Sequence, residues 1–198
     1  MTQIKWENRK TNDVGNDCLV GIDCVDFRFQ QIKIPNPKKP GKMMVNKALY
    51  SHKFNGPGLR YQVGLCLRTD DICNIEGPFA CGDWPDWLIF DDTIISILDE
   101  GERCECDNGY QCLAPHFVRC PNSTETTEEA LEFQLRIGGR QEVINKRIKH
   151  WNCLVERFKG KGDRVRKHSL LFRFCCVCTQ VALEVGVGDL WNIGDEYE

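Results

Sequence analysis

Two apolar, strand-like runs each deliver an aspartate, and that pairing constrains the fold more than any other feature of the chain. The first, Cys18-Leu-Val-Gly-Ile-Asp-Cys-Val-Asp26, carries Asp23. The second, Glu102-Arg-Cys-Glu-Cys-Asp107, ends at Asp107 before a tight Asn108-Gly109 turn. A third acid, Glu142, opens a helical pattern in Arg140-Gln-Glu-Val-Ile-Asn145. If the two runs lie side by side and the helix crosses their edge, three carboxylates meet at one point, as a divalent-cation site requires.

The rest of the chain supplies elements for such a fold. Residues 1–16 are polar and read as a poorly ordered lead-in with Trp6 as its anchor, 17–187 as one catalytic-type domain, and 188–198 as an acidic tail. Alternating apolar positions predict strands at Leu19–Val25, Phe27–Ile34, Leu59–Arg68 and Ile72–Gly77, with a loop at Pro35–Gly41 and a turn at Asp70-Asp71. Asp86 is a possible cap for a helix carrying Leu88, Ile95 and Leu98 on one face. Residues 111–124 read as loop. Three helical segments are expected after Thr126: Glu128–Ile137, Arg140 to about Phe158, and Val165–Val185 with Phe172, Phe174, Cys175, Val177 and Val181 facing a core. The expected class is therefore α/β: a ribonuclease H-like mixed sheet, with an antiparallel three-strand meander plus parallel strands, flanked by helices.

Composition narrows the function. With 198 residues and 41% hydrophobic content, one well-buried domain is expected. No apolar run approaches the roughly 20 residues that span a bilayer, and the start lacks a signal-peptide core, so no membrane association and a nuclear or otherwise intracellular setting are expected. Thirteen cysteines, an odd number mostly inside apolar runs, read as reduced core thiols. A zinc module using Cys104, Cys106, Cys112 and Cys120 is the lesser alternative because their spacing is irregular. The net charge of −3 conceals a polarity: acids crowd residues 91–107, whereas bases dominate 140–173, the segment that contains Glu142. Bases there suit a phosphate backbone.

Three hard carboxylates favour Mg²⁺ or Mn²⁺ over softer ions, and two such ions about 4 Å apart can activate a nucleophile and stabilise a leaving oxygen at a phosphodiester. Asp23 is the candidate bridging ligand, Asp107 and Glu142 the flanking ones, and Glu156 the fallback third acid. Lys53, Arg140, Lys146, Arg147 and Lys149 are candidate DNA-backbone contacts, with His52 near the scissile phosphate and Asn108 and Tyr110 shaping the loop under Asp107.

A longer succession of motifs goes further. Gly21-Ile-Asp-Cys-Val-Asp26, Tyr50-Ser-His-Lys-Phe-Asn-Gly-Pro-Gly-Leu-Arg-Tyr-Gln-Val-Gly64, Ile75-Glu-Gly-Pro-Phe-Ala-Cys-Gly-Asp-Trp-Pro-Asp-Trp87, Gly101-Glu-Arg-Cys-Glu-Cys-Asp-Asn-Gly-Tyr110 and Arg140-Gln-Glu-Val-Ile-Asn-Lys-Arg-Ile-Lys149 together resemble the DDE superfamily endonucleases of Harbinger-like transposases. The resemblance runs from about Cys18 to Gly186. It implies a ribonuclease H-like nuclease with Asp23, Asp107 and Glu142 as a Mg²⁺-binding triad that cuts DNA at element ends and joins the freed 3′ hydroxyl to a new target. It also implies a possible homodimer on paired ends. The upstream helix-turn-helix usual in that family does not fit in residues 1–16, so the expectation is a catalytic domain alone, a truncated element, or a domesticated copy relying on a separate end-recognition protein. A domesticated, noncatalytic nuclear DNA- or protein-binding domain is the alternative.

Overall fold

The β-branched and cysteine-rich run Cys18–Arg28 (β1) lies at the centre of a sheet, buried along almost its whole length. The computed structural model describes residues 4–10, 18–121, 128–155, 158 and 162–187. A small ribbon, Lys33–Pro35 (β2) with Met43–Val45 (β3), leads into Tyr50–Ser51 (β4), Gly56–Cys66 (β5) and Ile72–Ala80 (β6). Helix α1 (Asp86–Thr93) returns the chain to Arg103–Cys106 (β7) and Val118–Arg119 (β8). Then come helices α2 (Glu128–Lys149), α3 (Asn152–Val155) and α4 (Arg164–Glu184).

The main sheet has β5 on one side of β1 and β7 on the other, with β4 and β6 on β5 and β8 on β7. Strands β1, β5 and β6 form the expected antiparallel meander, while β7 runs parallel to β1 and β8 parallel to β7. The protein is thus α/β, with a mostly antiparallel mixed sheet flanked by helices. The period of two along a strand divides its side chains between two cores. Val25, Phe27, Tyr61 and Val63 face α2 and α4, whereas Val20, Ile22, Cys104 and Cys106 pack with Phe90 of α1 and Tyr110. All thirteen cysteines are free and ten are buried, so they act as small core hydrophobes.

Helix α2 differs from the two segments expected. It runs unbroken through Gly138-Gly139, although each glycine costs a helix about 1 kcal/mol relative to alanine. Packing wins because Ile137, Arg140, Gln141, Ile144, Asn145 and Ile148 form a buried stripe at three- and four-residue spacing. Close approach of this helix needs Gly21: a Cβ there would sit 2.9 Å from Ile137 Cγ2. Helix α4 starts at Asp163, whose carboxylate accepts a hydrogen bond from Arg166 N–H at 3.0 Å. Its buried face is His168, Phe172, Cys175, Cys176, Thr179 and Leu183; Phe174 and Val177, expected in the core, point outward because they fall between the turns of that stripe. The expected loop over 111–124 contains β8, too short to register as a pattern. Within the expected lead-in, Trp6–Arg9 is a docked 3₁₀ turn, and Arg9 is fixed by Glu102 through bonds of 2.6 and 2.7 Å. The acidic tail expected at 188–198 lies outside the described residues.

His168 makes the fold pH-sensitive. It is fully buried, stacks on Tyr61 and lies 2.7 Å from that residue's hydroxyl through Nδ1; burial depresses its pKa to about 4. The unfolded chain takes up a proton at a higher pH than the folded one, so stability is complete above about pH 6.5 and falls as pH drops toward 4. The expected loss is about 3 kcal/mol over that window. Asp23 acts in the opposite direction over the same window, so the effect is read as the difference in urea midpoint between wild type and His168→Gln at pH 7 and at pH 4.5.

Candidate functional site

Asp23 and Asp107 become neighbours through strand pairing. Ile22 of β1 is in register with Cys106 of β7, so the next residue on each strand is one of the two aspartates. Asp23 is partly buried. Its Oδ1 accepts a hydrogen bond from Cys24 N–H at 2.7 Å, and its Oδ2 accepts one from Asn145 Nδ2 at 2.8 Å. Burial raises its pKa to about 6; the charges of Asp107 and Asp86 push the same way, while the Cys24 bond and Lys53 pull it back. Asp107 is exposed and caps the 3₁₀ turn Asn108–Leu113, its Oδ1 accepting from Gly109 N–H at 2.8 Å. Tyr110 in that turn is buried against Phe90 and donates its hydroxyl to Cys24 Sγ at 3.4 Å, which fixes the floor beneath both acids.

Glu142 sits on α2, on the wall of the same pocket. That cavity is about 480 Å³ and is lined by Asp23, Asp107 and Glu142 together with Gln134, Gly138 and Gln141. The Glu142 carboxylate is exposed and paired with Lys146 at 3.4 Å. Among the described residues, no three His, Cys, Asp or Glu side chains converge closely enough to hold a metal ion. The three expected acids therefore share a pocket without forming a closed coordination shell. The fallback acid Glu156 lies outside the described residues.

Comparison with family models, with curated proteins and with solved structures finds no match to this chain. The site is therefore read from its own geometry.

Asp26, three residues beyond Asp23, points to the opposite sheet face and has a structural role. Burial works to raise its pKa, but hydrogen bonds from Arg60 at 2.7 and 3.1 Å, with one from Ser51 at 2.8 Å, hold it below the usual range. Arg60 also pairs with Asp86 at the start of α1, so Asp86 ties the helix to the sheet; the expected capping role is not seen.

The basic candidates divide. Arg140 is 2% exposed and donates to the carbonyls of Leu67 (2.7 Å) and Thr69 (2.8 Å) and to Asp70 (3.0 Å). It anchors α2 to the turn after β5; its guanidinium is already used, and the expected DNA contact is corrected. Lys53, Lys146 and Lys149 are exposed and Arg147 half-exposed. Lys53 lies near enough for its charge to act on Asp23 and Asp86. His52 is exposed, its ring edge-on to Tyr50.

The zinc alternative also fails on geometry. Cys104, Cys106 and Cys120 are buried in the apolar core on the α1 face, where burial pushes their thiol pKa values up, Cys112 is exposed, and among the described residues they do not converge on a metal-holding group.

Asn145 is the residue that pattern reading missed. Its signal was the three-residue interval from Glu142, which puts both on adjoining parts of one helix face. Its amide orients the Asp23 carboxylate, and its own Oδ1 is buried without a hydrogen-bond partner. It is a positioning residue. Whether hard cations suit the pocket follows from its donors: oxygen groups line it, and Asp23 carries a charge that burial and Asp107 both disfavour. The donor chemistry fits Mg²⁺ or Mn²⁺.

Proposed function

We propose that this chain is a divalent-metal-dependent DNA endonuclease domain of the DDE, ribonuclease H-like type, acting on phosphodiesters by hydrolysis or transfer. The observation that carries this reading is the register of β1 with β7, which opens Asp23 and Asp107 side by side into a pocket that Glu142 also lines. The sheet order supports it as well: a central strand flanked by an antiparallel pair on one side and two parallel strands on the other is compatible with a ribonuclease H-like sheet.

Asp23 and Asp107 would hold Mg²⁺ or Mn²⁺, with Glu142 on the pocket wall as the third ligand once released from its exposed i,i+4 ion pair with Lys146, a pairing worth about 0.3–0.5 kcal/mol. Bound ions supply charge stabilisation at the attacking and leaving oxygens. Asn145 keeps the Asp23 carboxylate turned into the pocket, Tyr110 supports the turn under Asp107, and Lys53, Lys146, Arg147 and Lys149 offer positive charge to the DNA backbone. A separate end-recognition protein and a homodimer on paired ends belong to this proposal, as does a nuclear setting. Among the described residues, no helix is long and apolar enough to cross a membrane.

A second reading, a domesticated noncatalytic DNA- or protein-binding domain, draws on the outward Glu142 and the open coordination shell. Nicking of supercoiled DNA by the purified protein with Mg²⁺ or Mn²⁺, beside Mn²⁺ calorimetry, separates the two. Metal-dependent nicking supports the first, and absence of Mn²⁺ binding at millimolar concentration supports the second.

A further inference from the structure

The pocket that holds the acids extends along α2 past anything metal ligation uses. Gln134, Gly138 and Gln141 follow one another at four- and three-residue spacing, so they share one face of the helix and all line the cavity. Gly138 has no packing reason to be glycine: a Cβ built there meets nothing within 4 Å. A mid-helix glycine in open space lowers stability and gains only room. The two glutamines flanking it are 7% and 4% exposed, and the Oε1 of each is buried without a hydrogen-bond partner. Gln141 spends its Nε2 on Val63 O at 2.9 Å, which leaves its carbonyl oxygen unpartnered at the pocket wall, 3.7 Å from where a Cβ on the lining residue Gly21 would sit. Leu135, Ile137 and Pro121 supply apolar lining, and the volume is that of a small-molecule site.

Resting on the nuclease reading, we infer that the Gly138 end of this pocket is a subsite for one unstacked nucleobase of the DNA strand whose phosphate lies at Asp23 and Asp107. The apolar residues take the face of the base. The two amide oxygens accept hydrogen bonds from its amino edge, in the way that sites for extruded bases combine apolar contact with edge recognition. An acceptor pair favours bases with an exocyclic amino group: cytosine over uracil, for instance, where the 4-amino donor is replaced by a second acceptor. Uracil sets its O4 acceptor where cytosine presents the amino group, so a ligand oxygen would face the glutamine oxygens and only its single N3–H would remain to be donated.

The test compares dC12 with dU12, two weakly stacking strands that differ in the donor, by fluorescence anisotropy in EDTA and in Mn²⁺. The wild-type protein should prefer dC12 by about tenfold, a discrimination of the size one good base contact supplies. Gly138→Leu should fill the cavity and lower affinity for dC12 by at least about tenfold while leaving Mn²⁺ binding by calorimetry unchanged. Gly138→Ala should melt higher. Gln134→Leu keeps the volume near that of glutamine and removes one acceptor, so it should fold and erase most of the dC12 preference. Equal binding of dC12 and dU12, no binding of either, or an unaltered preference in Gln134→Leu overturns the subsite. A preserved preference in a protein that binds no Mn²⁺ overturns the nuclease reading instead and leaves the base site standing.

Discussion

Asp107→Asn is expected to lower Mg²⁺-dependent nicking of supercoiled DNA on the order of 10³-fold or more, because removing an ion ligand forfeits several kcal/mol of transition-state stabilisation. The fold should survive. The wild-type carboxylate caps the Asn108–Leu113 turn through Oδ1, and the asparagine oxygen can accept the same bond from Gly109 N–H. Tyr110 stays buried beneath it in either case. An alanine at this position would confuse the result, since a lost cap costs about 1 kcal/mol. The decisive record is therefore nicking rate beside the melting temperature for Asp107→Asn. Undiminished nicking in a folded, pure variant rejects the site assignment.

Asp23→Asn should do two opposite things: end metal-dependent activity and make the metal-free protein more stable. Burial, reinforced by Asp107 and Asp86, lifts the folded-state pKa of Asp23 to about 6. The sign is the reverse of a salt-bridged carboxylate. Here the folded protein holds the proton more tightly than the unfolded chain, so the ionised form destabilises fully above about pH 6 and the penalty disappears as pH falls toward 4. The difference is on the order of 3 kcal/mol at neutral pH. Asparagine can keep both local bonds, accepting from Cys24 N–H and donating to the otherwise unpartnered Oδ1 of a turned Asn145. Urea midpoints in EDTA should thus favour the variant at pH 7.5 and converge with wild type near pH 4. Added Mn²⁺ should raise the wild-type midpoint and leave the variant unmoved. A variant less stable than wild type at pH 7.5 would mark Asp23 as a structural acid, as Asp26 is.

Asp23 and Asp26 illustrate how far pattern reading reaches. Both sit in one run, and both are acids on β1. Their odd separation predicts opposite faces, but only the neighbours on those faces separate a carboxylate neutralised by Arg60 from one left under-solvated beside Asp107. Arg140 teaches the converse: a base in a basic segment next to Glu142 suggested phosphate, whereas the helix phase turned it inward onto the carbonyls of residues 67 and 69. The glycine pair at 138 and 139 falls between the two helical segments expected there, and the buried stripe from Ile137 to Ile148 carries α2 through it against their low helix propensity.

What the chain determined on its own was local and periodic: the meander of β1, β5 and β6, the aspartates at strand ends, and a helix over nearly the span of α4. These follow from alternation, turn residues and caps within a few positions of one another. Tertiary structure decided the rest. Parallel pairing of β1 with β7 joins residues some eighty positions apart, the phase of α2 selects Asn145 and Gln141 as inward groups, and the close approach at Gly21 sets the pocket's width. Such contacts depend on the summed burial of whole faces, and no short window of sequence contains that sum.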